Sequence, residues 1–133
     1  MTDQRAATHW SICVDNPLRP LATRACIAQS LAARVVGLLG RDGLGEGEGL
    51  ILPACRSIHT AFMRFTIDAV FVDRRWRVIR VWQALPPWRV TPIIWRAQAV
   101  IELPPGTAKR ANVSVGDQVI VEPVDGQNRL DTL

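Results

Sequence analysis

The chain has 133 residues, 48% of them hydrophobic and 21% charged, which is enough for one domain with its own core and too apolar for a disordered segment. Its net charge of +4 is spread along the sequence and carried almost wholly by arginine, with Lys109 the one lysine; no block of five or six like charges forms a basic arm for nucleic acid. No apolar run approaches the roughly 20 residues of a membrane span, and Cys13, Cys26 and Cys55 stand at spacings that make no disulfide framework.

Residues 1–9 read as a flexible tail without a secretory signal, so a cytoplasmic protein is expected. Trp10 to Val14 suits a short strand, Asp15-Asn16-Pro17 a turn, and Leu21 to Ile27 a second strand. Ser30 is a plausible N-cap for a helix with apolar positions at Leu31, Val35, Leu38 and Leu39, ended by Gly40. The alternating glycines Gly43, Gly45, Gly47 and Gly49 follow a helix instead of opening one. They lack the Lys-Ser/Thr ending of a phosphate loop and enclose Glu46 and Glu48, so they form a connection.

Beyond Leu50-Ile-Leu52 the pattern is strand-rich. Thr66 to Val72 and Arg77 to Trp82 flank the turn Asp73-Arg74-Arg75 as a hairpin, and Leu85 to Arg96 is a proline-broken loop. Ala99 to Leu103 is a strand, Thr107 to Ala111 a helical turn, and Gln118 to Glu122 the last strand before a polar tail at 123–133. The expectation is a single mainly β domain over residues 10–122: a small β-sandwich or partly closed barrel with one packed α-helix and a short helical turn.

Three features could carry chemistry. The segment Cys55 to Asp68 gathers Cys55, His59, Arg64 and Asp68, with His9 and Cys13 repeating a Cys/His pair in reverse order. Zinc needs closer ligand spacing than either pair shows, so no metal is expected and no cofactor either. A thiol–imidazole nucleophile would use Cys55 and His59 with Asp68 as orienting group, against the plainer reading of a buried thiol and a hydrogen-bonded histidine. Asp68 and Glu102 lie within apolar strands and must be paired; Arg34, Arg41 and Arg64 are the expected partners, either clamping a helix to the sheet or flooring a polar pocket. Two carboxylates could also serve glycoside hydrolysis, but sequence supplies no separation to judge it. Trp88-Arg89 and Trp95-Arg96 stand in the long loop, where they either bury themselves or face a ligand.

The blocks Arg34-Val-Val-Gly37-Leu-Leu-Gly-Arg41, Gly49-Leu-Ile-Leu52, Ser57-Ile-His59-Thr-Ala-Phe-Met63, Ile67-Asp68-Ala-Val-Phe-Val-Asp73, Val100-Ile-Glu102-Leu-Pro-Pro-Gly106 and Val115-Gly116-Asp117 together resemble the bacterial and archaeal family called domain of unknown function 192. The resemblance covers residues 20 to 122, departing at Thr66, where the family usually has proline, and at Pro105, where it usually has alanine. It implies a β-sandwich-like fold with a helix beside it and no established activity, and it singles out Arg34, Gly37, Arg41, His59, Met63, Asp68, Glu102, Gly106 and Asp117. The resulting expectation is a domain that binds a small sugar-like or anionic molecule through His59, Met63, Arg64 and Asp68, with Trp88 and Trp95 at the mouth. An enzyme using Cys55, His59 and Asp68 and a protein-interaction accessory using the Trp88–Trp95 loop are the alternatives. No nucleic acid or membrane partner is expected, and the sequence names no protein partner.

Overall fold

A computed structural model describes residues 9–28 and 42–124 of the chain. The strands are β1 (His9–Val14), β2 (Arg19–Ile27), β3 (Glu48–Pro53), β4 (Ile67–Val72), β5 (Val78–Leu85), β6 (Ala99–Leu103) and β7 (Val119–Val124), with one short helix, α1 (Thr107–Arg110), before β7. The helix read over Ser30 to Gly40, with Arg34 and Arg41, lies outside the described residues. Strand pairing of His9 with Val124 and Trp10 with Pro123 carries order slightly beyond the expected limits of 10 and 122.

The strands form one mixed sheet in the order β5-β4-β6-β3-β2-β1-β7, with β2 and β3 parallel and the other neighbours antiparallel. The sheet curls until its two edges touch. An isolated bridge joins Arg77 to Gln118, and the Val119 amide donates to the Trp76 carbonyl at 2.8 Å. It does not close into a barrel, so one curled sheet takes the place of a two-sheet sandwich.

Curling gives the sheet an inner and an outer face, each with its own core. Ile12, Val14, Leu21, Val70, Val72, Ile101 and Leu103 pack inside. Outside, Leu52, Ala69, Phe71 and Val100 are covered by Ile58, Met63, Phe65 and Ala97 from loops. Strands β4 and β6 are central, and every residue in them is buried. Strand alternation puts Asp68 on the inner face with Val70 and Val72, and Glu102 on the outer face, across from Leu50 and Ala69.

Asp68 is fully buried, and its partners differ from those expected. Oδ1 accepts the Ala84 amide at 2.8 Å and Oδ2 the Ala108 amide at 2.9 Å; neither oxygen meets an arginine. Arg64 instead points outward toward Asp42, 3.8 Å away and also exposed. The physical reason is local. Register slips between Ile67–Leu85 and Ala69–Trp82, so Gln83 and Ala84 together oppose Asp68 in a bulge. Ala84 has a left-handed backbone (φ 55), and the bulge leaves its N–H off the ladder. Ala108 stands in the first turn of α1, where N–H groups have no intrahelical acceptor and Gly106 offers no side-chain cap. One carboxylate satisfies both orphaned donors, a charge-assisted arrangement stronger than neutral hydrogen bonds. Glu102 is equally buried, and its expected partners Arg34 and Arg41 are outside the described residues.

Replacing Asp68 by Ala therefore strands two buried amides. Chemical denaturation should show a loss of about 3 kcal/mol or more, with Asp68→Asn, which keeps one acceptor oxygen, recovering part of it. A loss below about 1 kcal/mol would mean that the amides find other acceptors.

The β4–β5 turn carries a second carboxylate cap. Asp73 Oδ1 accepts the amides of Arg75 (2.9 Å) and Arg77 (3.0 Å). Partial burial pushes this carboxyl up, but the Arg77 and Arg75 amides and the charges of Arg96 and Arg75 outweigh that and hold it below the ordinary range. A depressed folded-state value means a stabilising contribution present above the unfolded value of about 3.9 and lost as pH falls through the lower folded one. The stability difference between wild type and Asp73→Asn should thus be constant near neutrality and shrink on acidification below about pH 4. A difference that is flat through that range would contradict the assignment.

Candidate functional site

Two loops cover the outer face: residues 54–66, between β3 and β4, and residues 86–98, between β5 and β6. Two buried threonines lace them together. The Thr60 amide donates to the Arg89 carbonyl (2.8 Å), its carbonyl accepts the Trp88 amide (3.1 Å), and its hydroxyl donates to Pro86 O (2.7 Å) while accepting the Arg89 amide (2.9 Å). Thr91 repeats the device, accepting the Ile58 amide on its hydroxyl at 3.0 Å while its own amide donates to Ile58 O at 2.9 Å. Ser57 Oγ adds a bond to Thr91 O at 2.9 Å. Hydroxyls thus add to the main-chain bonds around a short antiparallel bridge, His59 to Val90, and join two non-repetitive segments into one layer.

On top of that layer stand apolar side chains in water: Phe62, Trp88, Val90, Ile93 and Trp95, each more than half exposed. Phe62 and Trp88 meet edge to face, with ring centroids 4.8 Å apart and planes at 62°. Both have left-handed backbones, φ 67 and φ 63. A bulky residue in that region is strained by roughly 1–2 kcal/mol and persists only where its surroundings over-determine it. Thr60 supplies that determination by bonding the Trp88 and Arg89 amides and, through its carbonyl, the Met63 amide (3.2 Å) on the far side of Phe62.

The residues named from sequence divide around this layer. His59 is half-buried within it, bridged to Val90 and accepting the Ala61 amide on Nδ1 at 3.3 Å. Met63 is buried in the outer core beneath, and Arg64 lies exposed beside the layer. Trp88 and Trp95 are exposed, 62% and 71%, so neither indole is buried as packing for its own loop. Trp82, by contrast, packs against Phe71 at 5.4 Å. Asp68 is out of reach of any ligand, inside the sheet with both oxygens occupied.

The same occupancy removes the orienting group from the Cys55–His59–Asp68 constellation, since Asp68 bonds main-chain amides and not the imidazole. The Cys55 thiol donates to Ser57 O at 3.1 Å. At Cys13, burial and then the Glu122 charge push the thiol up, away from a thiolate. Among the described residues no group of three or more His, Cys, Asp or Glu is placed to share a metal ion.

Cavities are present elsewhere among the described residues, and none of the candidate site residues named from sequence lines the two that follow. One, about 530 Å³, lies by Arg19, Thr23, Glu46, Thr107 and Arg110. Arg19 is already committed there to the carbonyls of Pro17, Ala111 and Asn112 and to Asp117 at 3.6 Å. The other, about 410 Å³ and apolar, opens at the mouth of the curled sheet. Sequence reasoning passed over Phe62, Thr60 and Thr91. The first two sit in the block Ser57 to Met63, but nothing in a linear pattern separates an outward phenylalanine from a core one.

Fold and site together define a one-sheet β domain that presents an aromatic-topped loop layer on its outer face. The chain belongs to the DUF192 family, described as "Uncharacterized ACR", whose model matches residues 14–121. It is 41% identical over 97 residues to a UPF0127 protein of Pyrococcus abyssi, a match spanning 70% of this chain and 81% of that one. With a UPF0127 protein of Pyrococcus horikoshii it shares 38% identity over 63 residues, so the chain spans about half the length of that relative (54%) and 47% of its own. A crystal structure of a protein of unknown function from Novosphingobium aromaticivorans superposes with a TM-score of 0.71 at 25% identity, over 83% of each chain. No helix among the described residues is long and apolar enough to cross a membrane.

If the threonines hold the layer, Thr60→Val, which keeps shape and removes the hydroxyl, should cost about 1–3 kcal/mol by unpairing Pro86 O and the Arg89 amide. Amide hydrogen exchange should accelerate at Trp88 and Arg89 more than in β4. Uniform acceleration, or none, would show that the hydroxyl does not hold the loops.

Proposed function

We propose that the domain binds a small sugar-like molecule, flat on one face and with room for a negative charge, on the Phe62–Trp88 layer. The single observation behind this reading is that two neighbouring exposed aromatic residues both have left-handed backbones held by the buried Thr60, whose carbonyl accepts the Met63 and Trp88 amides and whose hydroxyl accepts the Arg89 amide. The two strained residues pack on each other but leave most of their ring surface in water, and a ligand-facing role accounts for strain kept at exposed aromatics. Aromatic faces stack on the apolar side of a sugar ring, while Arg64 and Arg89 at the margin can pair with a carboxylate or phosphate on it. His59 lies in the same layer; Met63 and Asp68 act from beneath, by support.

Methyl glycosides and free uronic acids, titrated while amide and indole NMR signals are followed, test this. Shifts should concentrate at Trp88, Phe62 and Ala61 and vanish in Trp88→Ala, whose circular dichroism should be unchanged. Uronic acids should bind more tightly than the neutral glycosides, by a margin that falls with salt. No saturable shift with any of these sugars would count against the reading.

A second reading is a docking face for another protein. Val90 and Ile93, 72% and 53% exposed beside the aromatics, add apolar surface that a sugar ring would not use. Self-association that Ile93→Glu abolishes while sugar titrations stay silent would favour it.

A further inference from the structure

We propose that the open mouth of the curled sheet is a separate binding site for an amphipathic monocarboxylate, an apolar ring or short chain bearing one carboxylate. The proposal does not rest on the loop layer: it concerns the opposite face of the sheet and other residues. The hollow lies where the two sheet edges meet: the Arg77–Gln118 bridge stands just ahead of β5 and β7, and Trp76, Gln118, Val119 and Val121 line it from those edges. The resulting cavity, about 410 Å³, is within the range of small-ligand sites, roughly 300–1,000 Å³. Ile51 and Val119, almost fully buried, form its floor, and the half-buried indoles of Trp10 and Trp76 contribute walls.

The polar groups at this cavity decide what fits it. Gln118 is spent within the protein: its Nε2 donates to the carbonyls of Arg75 (2.7 Å) and Trp76 (3.2 Å), clamping the hairpin turn. Arg75 is exposed, and among the described residues its guanidinium makes no ion pair or side-chain hydrogen bond, Asp73 being close enough only for its charge to be felt. No acidic side chain lines the cavity. Asp73, whose charge Arg75 feels, directs Oδ1 into the turn, at the Arg75 and Arg77 amides. A guanidinium with open donors on the rim of an apolar hollow matches a carboxylate, which it can bind through two parallel hydrogen bonds.

The wall is also fixed in advance. Trp76 has a left-handed backbone (φ 61), pinned by its amide on Asp73 O (2.9 Å) and by its carbonyl under the Val119 amide. As at the loop layer, a bulky residue in the left-handed region stands at the site, here an indole whose backbone is held at both its amide and its carbonyl, with a guanidinium beside it at the rim. A ligand of that kind would set its apolar body against the walls of the hollow and its carboxylate at the rim beside Arg75.

The test uses the full chain and four probes: phenylacetate and octanoate, with 2-phenylethanol and octanol as uncharged counterparts. The acids should saturably shift the indole signals of Trp10 and Trp76, but not Trp88, and bind about tenfold more tightly than the alcohols. Arg75→Gln should bring the acids to the level of the alcohols and leave the alcohols unchanged. Val121→Trp, which fills the hollow from β7, should abolish binding of all four, while Trp88→Ala should leave it intact. Equal binding of acids and alcohols by the wild type, shifts centred on Trp88, or no binding at all would each overturn the proposal. Shifts centred on Trp88 would place the acids on the loop layer instead; equal binding or no binding leaves the sugar titrations to be judged by themselves.

Discussion

Everything positioned in this domain leans on one carboxylate shared between two main-chain amides. Asp68 lies at the inner face of a strand buried on both sides, where an isolated charge is prohibitively costly and the nearest help is backbone. The Ala84 amide, put out of register by the bulge, and the Ala108 amide, in the first turn of α1, both need an acceptor that water cannot supply. An ionised carboxylate is the one short side chain with an acceptor for each and no donor to conflict with either. Central strand, edge strand and helix start are thereby joined through a single residue.

The consequence runs outward to the loops. The bulge that Asp68 stabilises re-aims the end of β5, so that Leu85 returns to pairing with Ile67. The chain then enters the 86–98 loop with the Pro86 carbonyl set over the Thr60 hydroxyl. From there the Thr60 and Thr91 contacts fix the loop against its neighbour. A core hydrogen bond and an exposed tryptophan are thus linked by three covalently adjacent steps: bulge, strand end, loop clamp. The outer face of β4 completes the linkage, because Ile67, Ala69 and Phe71 support the Ile58, Met63 and Phe65 side chains under the same layer.

Much of this was legible from alternation alone. All seven strands and the helical turn stand where apolar periodicity and turn residues put them, and Asp68 shares a face with Val70 and Val72 as its position in the strand requires. Its partner was not legible, because arginines are visible in a sequence and orphaned amides are not. A bulge at Gln83–Ala84 has no composition signal, and a helix lacking its own cap shows only as an absence. The same limit hid Thr60 and Thr91, ordinary loop residues until pairing brings residues 58–60 and 86–91 together. Trp10 and Trp76 become walls of one cavity only after the sheet curls, and no local rule foretells that closure stops short. Family resemblance pointed to His59 and Met63 but could not say that one lies in the layer and the other beneath it.

The β4–β5 hairpin connects the two candidate sites and keeps them apart. Its turn, residues 73–77, carries Arg75 and Trp76 at the sheet mouth; its open end, at Ile67 and Leu85, delivers the chain to the aromatic layer. Between them β4 is buried throughout, paired on both edges and packed on both faces, so it has little freedom to flex. Strain in such a fold collects at the ends of the hairpin, where Trp76 and Trp88 adopt backbones that bulky side chains avoid. A stiff central strand can hold two strained ends simultaneously because neither can relax by moving it. That stiffness follows from the two-sided burial of β4, which the Asp68 carboxylate makes tolerable by leaving no orphaned amide around it.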